Sequence, residues 1–331
     1  MAGGQERALR RRIKSVQSTK KITRAMELIA TTRVAKAQEQ AAQARPYAVE
    51  ITNVIFDLVA AGASLDHPLF SSPEGVRRAG FVVITSDRGL CGAYNSTIIR
   101  MAERELQARR AEGDDYSLIL VGAKARSYFA FRGYRIDRVF TGISDKPSYE
   151  DAKAVADEVL ERFRAGELST VDLCYTRFLS IGTQRPVVRR FMPLRALVPE
   201  ESEGERTKVD TDGGPRADFE FEPSPEAILD AILPRYVEAR IYSALLDSAA
   251  SEHAARQRAM KAATDNAQEL IVQLTRMMNR ARQDAITTEI MEVVGGAEAL
   301  REAKAEREDL LPDRLAVHDF FPDRPTERVA R

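Results

Sequence analysis

Small and apolar residues recur in alternating steps of three and four along the C-terminal part of the chain. From Arg235 to Val294 there are sixty residues without a glycine or a proline. We therefore predict one long helix, which would span roughly 90 Å at about 1.5 Å per residue. The spacing is typical of the contact seam of a left-handed coiled coil. His253 and Arg256 interrupt this seam, so their polar groups need water or a second protein. The alanine-rich seam consists of Leu246, Ala249, Met260, Ala263, Ala267, Leu270, Leu274, Met277, Ala281 and, in phase, Met291.

The same three-four step appears at the N-terminal end. No glycine or proline occurs from Glu6 to Arg45, and Pro46 predicts a kink before a further helical piece that reaches about Ala61. Two helices with matching seams, separated by the middle of the chain, are most economically arranged as an antiparallel pair. The alternative is two independent amphipathic helices that lie on a globular core.

Between these helices the hydrophobic period changes to that of strands and short helices. Alternation of strand and helix predicts a βαβ unit with a parallel pair of strands. The predicted elements are strands at 81–84, 118–121, 171–179 and 187–194 and helices at 96–111, 123–131 and 149–164. A loop rich in Gly, Ser, Asp and Pro precedes them at 62–80, and a flexible loop follows at 200–218.

The predicted fold class is α/β, with a long antiparallel coiled coil of the terminal helices and a compact, Rossmann-like α/β domain. We expect four segments along the chain. They are the N-terminal helix with its linker at 1–78, the α/β domain at 79–218, the C-terminal helix at 219–300 and a charged extension at 301–331.

Charge is balanced overall but uneven along the chain. There are 50 basic and 50 acidic residues, so the net charge is zero and no global field favours nucleic acid or a membrane surface. Eight basic residues and no acidic one lie at 7–24, on all sides of the predicted helix. Since no aromatic residue accompanies them between positions 5 and 46, we expect a polyanionic protein surface as the partner and not nucleic acid. A solvated helix surface, or an organellar transit peptide, is the alternative.

Membrane insertion and redox chemistry find no support in the sequence. No run approaches the roughly 20 apolar residues of a spanning helix, so any membrane link is expected to be indirect. Cys91 and Cys174 lie far apart and form no CxxC pair, which predicts two free thiols in a reducing compartment.

The loop from Ser86 to Gly92 is the feature that most resembles a catalytic or ligand site. Its glycines follow a strand and precede a helix, where phosphates often bind, but neither GxGxxG nor GxxxxGK[ST] is present. A tight turn that lets the strand and helix pack closely is the favoured interpretation. No histidine pairs with Cys91 in sequence, and no metal-ligand cluster, HExxH or GxSxG occurs, so we predict no catalytic, cofactor or metal site in this chain.

Six segments, at both ends and in the middle of the chain, carry a family resemblance: Ile13-Lys14-Ser15-Val16, Thr19 to Glu27, Ser86 to Gly92, Met260 to Ala267, Arg280 to Gln283 and Ile286-Thr287. Together they resemble the gamma subunit of rotary ATP synthases, the central stalk. The resemblance covers roughly residues 5–300 and implies an antiparallel coiled-coil shaft with an α/β domain at its foot. It also implies a mechanical function, in which the rotating shaft couples proton or sodium flow through a membrane ring to ATP synthesis or hydrolysis.

The resemblance further implies partners and contact residues. The expected partners are the catalytic hexamer of alpha and beta subunits, the epsilon subunit and the membrane c-ring. The chain itself is expected to be a non-catalytic, peripheral subunit on the cytoplasmic face of a bacterial plasma membrane, with an organellar inner membrane as the alternative. Contact with the hexamer is expected at Met26, Glu252, Arg256, Arg282, Gln283, Thr287 and Glu289, and contact with the membrane ring at Glu222. Without the resemblance, each is an ordinary solvent-facing or seam residue. A static coiled-coil scaffold remains the alternative function, and an ATPase acting alone would need the phosphate loop that is missing.

The segment from Arg301 to Arg331 departs from the family pattern, whose members usually end close to the match at Gly295-Gly296-Ala297. Alternating charges predict that the helix continues to about Leu311, before Pro312. Beyond it we expect either a disordered tail or a tail that folds on the hexamer through Phe320 and Phe321.

Overall fold

A computed structural model describes residues 2–60, 67–194, 222 and 224–309 of the chain. The predicted loop at 200–218 and the tail beyond Asp309 lie outside these residues. The ten elements are α1 Ala2–Ala60, β1 Arg78–Ile84, α2 Tyr94–Ala111, β2 Asp115–Val121, α3 Ala123–Phe131, β3 Arg138–Phe140, α4 Tyr149–Arg164, β4 Thr170–Phe178, β5 Gln184–Met192 and α5 Pro225–Asp309. No described helix combines the length and apolar character needed to span a bilayer.

The long terminal helices are confirmed, and both continue through a proline. Helix α1 includes Pro46, where the sequence predicted a kink between two pieces. Helix α5 begins ten residues before the predicted stretch, includes Pro234 and runs unbroken through Asp265. Leu233 and Val237 on either side of Pro234 are fully buried, so packing offsets the backbone hydrogen bond that a proline removes.

The five strands form one sheet in the order β3-β2-β1-β4-β5. β1 pairs in parallel with β2 and β4, and β2 with β3, which confirms the predicted βαβ unit. β5 runs antiparallel to β4. β3 was not predicted from the sequence, because three residues at the sheet edge are too short to show a hydrophobic period.

Side chains of successive strand residues point to opposite faces of the sheet, and each face has its own core. Phe81 and Val83 of β1 pack with α2 and α3. Val82 and Ile84 pack on the other face with α4, α1 and α5. The sheet is therefore covered on both sides, as a mostly parallel sheet requires.

The contacts divide the chain into two compact units, one of residues 19–267 and one that joins the two chain ends, within which residues 2–18 and 268–309 are described. In the first unit α1 and α5 are antiparallel. Thr23 hydrogen-bonds Thr264 through the hydroxyl groups at 2.8 Å, while Leu58, near the other end of α1, shares a core with Leu229. The segment boundaries drawn from the sequence at 78, 218 and 300 remain a prediction.

In the unit of the chain ends, α5 becomes steadily more exposed. Leu274 is buried, with 3% of its surface accessible. From Arg282 to Lys304 every residue except Ala285 is exposed. This part of α5 therefore keeps its helical form without covering its own apolar side chains.

Candidate functional site

Residues of helix α5 carry most of the contact positions expected from the sequence, and they fall into two environments. Glu252 and Arg256 are buried, with 1% and 8% of their surface accessible. Arg282, Gln283, Thr287 and Glu289 are exposed near the helix end, and Glu222 is exposed too, whereas Met26 on α1 is half-buried. Among these residues the structure joins the side chains of Glu252 and Arg256, while the Thr287 hydroxyl donates to the backbone carbonyl oxygen of Gln283 at 3.0 Å.

Glu252 and Arg256 form a short ion pair on successive turns of α5. The Arg256 Nη2 donates to Glu252 Oε1 at 2.7 Å and to the carbonyl oxygen of Gly89 at 3.3 Å. Burial raises the pKa of Glu252, and the guanidinium of Arg256 opposes this rise. The pair thus ties α5 to the loop between β1 and α2.

His253 lies beside this pair and connects α5 to the loop before α4. Its Nε2 is 3.0 Å from the backbone carbonyl oxygen of Asp145. A carbonyl only accepts, so the proton sits on Nε2 and Nδ1 is left to face the Arg256 Nη1 at 3.5 Å. Burial lowers the pKa of His253, which keeps the imidazole neutral beside Arg256. Arg33 of α1 forms an ion pair with the Asp145 carboxylate.

These five residues, Arg33, Asp145, Glu252, His253 and Arg256, form what we call the Arg256 cluster. It joins α1, α5 and two loops of the α/β domain within the unit of residues 19–267. His253 and Arg256 are recognisable in the sequence as interruptions of the seam, but their partners are not, because Asp145 lies 108 residues away from His253. No local spacing could have revealed the cluster.

The ligand atoms of Asp145, Glu252 and His253 lie within 4.8 Å of one another, as in a metal site. Both carboxylates, however, already face a guanidinium, since Arg33 pairs with Asp145 and Arg256 with Glu252. A divalent cation would have to enter next to Arg256, which is itself buried and charged. The arrangement therefore favours an ion-pair cluster, and not a metal centre, as the structure that fixes helix α5.

The loop from Ser86 to Gly92 is built as a packing turn. The Asp87 carboxylate accepts backbone hydrogen bonds from Ala123 at 3.0 Å and Gly142 at 2.9 Å, so a negative charge already occupies the N-terminus of α3. A Cβ on Gly92, which has φ of +58°, would lie 3.7 Å from the Cβ of Ala259 on α5. Burial raises the pKa of Cys91, which keeps it a thiol. These contacts support the interpretation of a tight turn.

The loop between β4 and β5 contacts the same stretch of α5. The guanidinium of Arg258 donates to the carbonyl oxygens of Ile181 at 2.6 Å and Gly182 at 3.2 Å. It also contacts the side-chain oxygen of Gln184. Two successive arginines of α5 thus reach different loops of the α/β domain.

The exposed end of α5 carries an apolar face. Ile286, Ile290, Val293 and Val294 line a shallow groove of about 220 Å³ together with Glu289. Ile290 and Val293 expose 56% and 67% of their surface. A contiguous apolar surface of this kind is typical of a contact with another chain.

Comparison with known proteins gives consistent results. The profile of a family described as ATP synthase matches residues 5–300. The chain is 54% identical to the ATP synthase gamma chain of Frankia casuarinae, with 90% of this chain and 98% of that protein covered. It is 47% identical to the ATP synthase gamma chain of Mycolicibacterium smegmatis, with 90% and 98% covered.

Solved structures agree with these relatives. The central stalk and c-ring structure of the Tetrahymena thermophila mitochondrial ATP synthase contains a chain that is 25% identical, with a TM-score of 0.55, covering 73% of this chain and 99% of its own length. A chain of the Euglena gracilis mitochondrial ATP synthase is 18% identical and has a TM-score of 0.61, covering 96% and 100%. The second likeness concerns the fold alone.

Proposed function

The chain belongs to the family of ATP synthase gamma chains, and from this premise we infer that it is the rotating central-stalk subunit of the enzyme. It couples proton flow through the membrane ring to ATP synthesis or hydrolysis in the catalytic hexamer. A rotor can bias the catalytic sites only through contacts that differ with its angle. The exposed apolar face at the end of α5 is the observation that carries this proposal, because such a face needs a protein partner.

The residues that were expected to contact the catalytic alpha and beta subunits fall into three sets, for which we propose separate contributions. Arg282, Gln283, Thr287 and Glu289 are exposed on the part of α5 that carries the apolar face, and we propose that they touch the hexamer directly. Glu252 and Arg256 are buried against the chain itself, so their proposed contribution is to hold α5 in position. Met26 is half-buried on α1 and presents part of its side chain to solvent.

The remaining partners follow from the same family membership. The α/β domain is proposed to bind the epsilon subunit and the c-ring, with the exposed Glu222 as a contact to the ring. The chain itself is proposed to be non-catalytic and to lie peripherally on the cytoplasmic face of the plasma membrane. The high similarity to bacterial gamma chains over 90% of the sequence supports this location.

The test replaces one exposed residue of the apolar face in the assembled enzyme. Ile290→Glu leaves the free chain as stable as before, within about 0.5 kcal/mol, because Ile290 is exposed there. In the complex it places a charge in an apolar contact, and we expect ATP-driven proton pumping to fall. Glu292→Gln is the matched control, since Glu292 is exposed on the same turn but does not line the groove.

Equal pumping by the Ile290→Glu and Glu292→Gln enzymes would contradict the proposed contact. A static scaffold is distinguished by cross-linking the end of α5 to a catalytic subunit. If the chain is a rotor, the cross-link should stop rotation and abolish ATP hydrolysis, and the activity should return when the cross-link is cleaved. Full activity in the cross-linked state would favour the scaffold.

A further inference from the structure

A cavity of about 610 Å³ lies between α1, α4 and α5 within the unit of residues 19–267, and no residue of the Arg256 cluster lines it. Its size is that of a small-ligand pocket. Three of the nine tyrosines of the chain line it. The side chains that matter for its chemistry are Tyr47, Tyr149, Lys153, Arg235, Glu238 and Tyr242.

Glu238 is the buried charge of this cavity. Only 9% of its surface is accessible. Its Oε2 accepts a hydrogen bond of 2.6 Å from the Tyr149 hydroxyl, and no salt bridge to it is found in the described part of the chain. Burial and this hydrogen bond raise the pKa of Tyr149, so the hydroxyl remains a donor. A carboxylate offers about four acceptor positions, and a buried one is normally paired with a cation.

The aromatic walls favour the same kind of ligand. The rings of Tyr149 and Tyr242 meet edge to face, with centroids 5.7 Å apart, and Tyr242 lies one helical turn beyond Glu238. Tyr47 lines the cavity from α1 with 48% of its surface accessible. The face of a tyrosine ring attracts guanidinium and ammonium groups.

Two basic residues also line the cavity and argue for an anion instead. Lys153 and Arg235 are both exposed, however, so water and salt screen their charges. The charge of Glu238 is screened far less, because it is buried. The ligand's first positive charge is attracted by Glu238. A second positive charge would be repelled by Lys153 and Arg235, so a singly charged ligand fits the cavity best.

We propose that this pocket binds a singly charged alkylguanidinium or alkylammonium group, held by the Glu238 carboxylate and the faces of Tyr47, Tyr149 and Tyr242. An arginine or lysine side chain of a neighbouring subunit and a small free amine share this chemistry. Both would place the cation against Glu238 and the alkyl chain along the tyrosine rings.

The test uses the purified full-length chain and N-acetylargininamide, which carries one guanidinium. N-acetylcitrullinamide is its neutral isostere and the ligand control. We expect saturable binding of the arginine compound by calorimetry, with a Kd of about 1 mM or tighter. The citrulline compound should bind at least about tenfold more weakly.

Variants locate the site. Glu238→Gln keeps the shape and an acceptor for Tyr149 but removes the charge, so affinity should fall about tenfold or more. Glu161→Gln, an exposed carboxylate of α4, should change nothing. Tyr47→Leu should weaken binding several-fold, and since Tyr47 is half exposed, this variant keeps the test valid if Glu238→Gln does not fold.

The proposal is overturned if the citrulline compound binds as well as the arginine compound, if Glu238→Gln binds with unchanged affinity, or if phenyl phosphate binds in preference to both. Repeating the titration with the assembled enzyme separates the two sources of the cation. Binding to the free chain alone points to a side chain of a neighbouring subunit that fills the pocket, and binding in both states points to a free amine.

Discussion

Arg256→Met is expected to be one of the most destabilising single changes outside the apolar core. It leaves the length of the side chain nearly unchanged but removes the cation that faces Glu252 at 2.7 Å. The Glu252 side chain is 2% accessible, so water cannot replace the guanidinium. The hydrogen bond to the carbonyl oxygen of Gly89 is lost as well.

Removing one partner of a buried ion pair costs about 3–5 kcal/mol, because the other charge stays buried and unpaired. Replacing both partners avoids that penalty. We therefore expect Glu252→Met/Arg256→Met to lie within about 1–2 kcal/mol of the parent chain, the remaining loss being the hydrogen bond to Gly89.

The size of the loss should depend on pH. Burial already raises the pKa of Glu252, and without Arg256 the pKa rises further because the opposing charge is gone. At low pH the folded Arg256→Met chain binds a proton at Glu252 and leaves no charge unpaired. The difference in free energy of unfolding between parent and variant is therefore larger at pH 8 than at pH 5.

Urea denaturation followed by tyrosine fluorescence measures these differences in free energy of unfolding for the compact unit of residues 19–267, which contains the Arg256 cluster. The chain has no tryptophan, and all nine tyrosines lie between residues 47 and 242. Arg135→Met is the control in the same unit, since Arg135 pairs with Asp115 at 2.9 Å but both side chains are more than half exposed, and it should lose less than about 1 kcal/mol. A loss below 1 kcal/mol for Arg256→Met, or a double variant less stable than the single one, would refute the reasoning.

Three further changes test other parts of the chain. Gly122→Ala should lower the free energy of unfolding by about 3 kcal/mol or more, because φ is +98° and a Cβ would lie 2.3 Å from a carbonyl oxygen. Gly133→Ala is its control: φ is +74° but the space around a Cβ is open, so the same urea titration should show a loss of about 1 kcal/mol. Burial raises the pKa of Asp247 from 3.8 to about 6, so its ionisation destabilises the fold as pH rises from about 4 to about 6. Asp247→Asn should therefore be more stable than the parent chain by about 1–2 kcal/mol at pH 8 and equal to it at pH 4. Met26→Lys in the assembled enzyme should reduce the protons pumped per ATP hydrolysed, measured in membrane vesicles, because a cation on the rotor forms contacts that must break as it turns; an unchanged ratio would count against a coupling role.

Elements with a clear hydrophobic period were predictable from the sequence. Helices α3 and α4 have the predicted bounds, and the strands β1, β2, β4 and β5 lie at the predicted apolar runs. Helix α1, by contrast, was expected to consist of two helical pieces divided at Pro46 and is one continuous helix. A proline removes one hydrogen bond locally, but the sequence does not show how much burial on either side offsets that loss.

The site was less predictable, since its contacts join distant parts of the chain. The Arg256 cluster depends on Asp145 and Arg33, which come from a loop and from the other long helix. The tyrosine-lined cavity likewise needs α1, α4 and α5 together. Spacing along one helix places Glu238 and Tyr242 on one face, but it does not reveal what lies opposite.

Two irregularities of helix α5 therefore have different meanings. At His253 and Arg256 polar side chains interrupt an apolar seam, and the α/β domain of the same chain supplies their partners. At Ile290 and Val293 apolar side chains occupy an exposed surface, and no described residue covers them. Buried polar groups must be satisfied within the folded chain, whereas exposed apolar ones lower the free energy only when another molecule binds. Along this helix, the first kind of irregularity marks where the chain fixes α5 by its own contacts, and we propose that the second marks where another subunit binds.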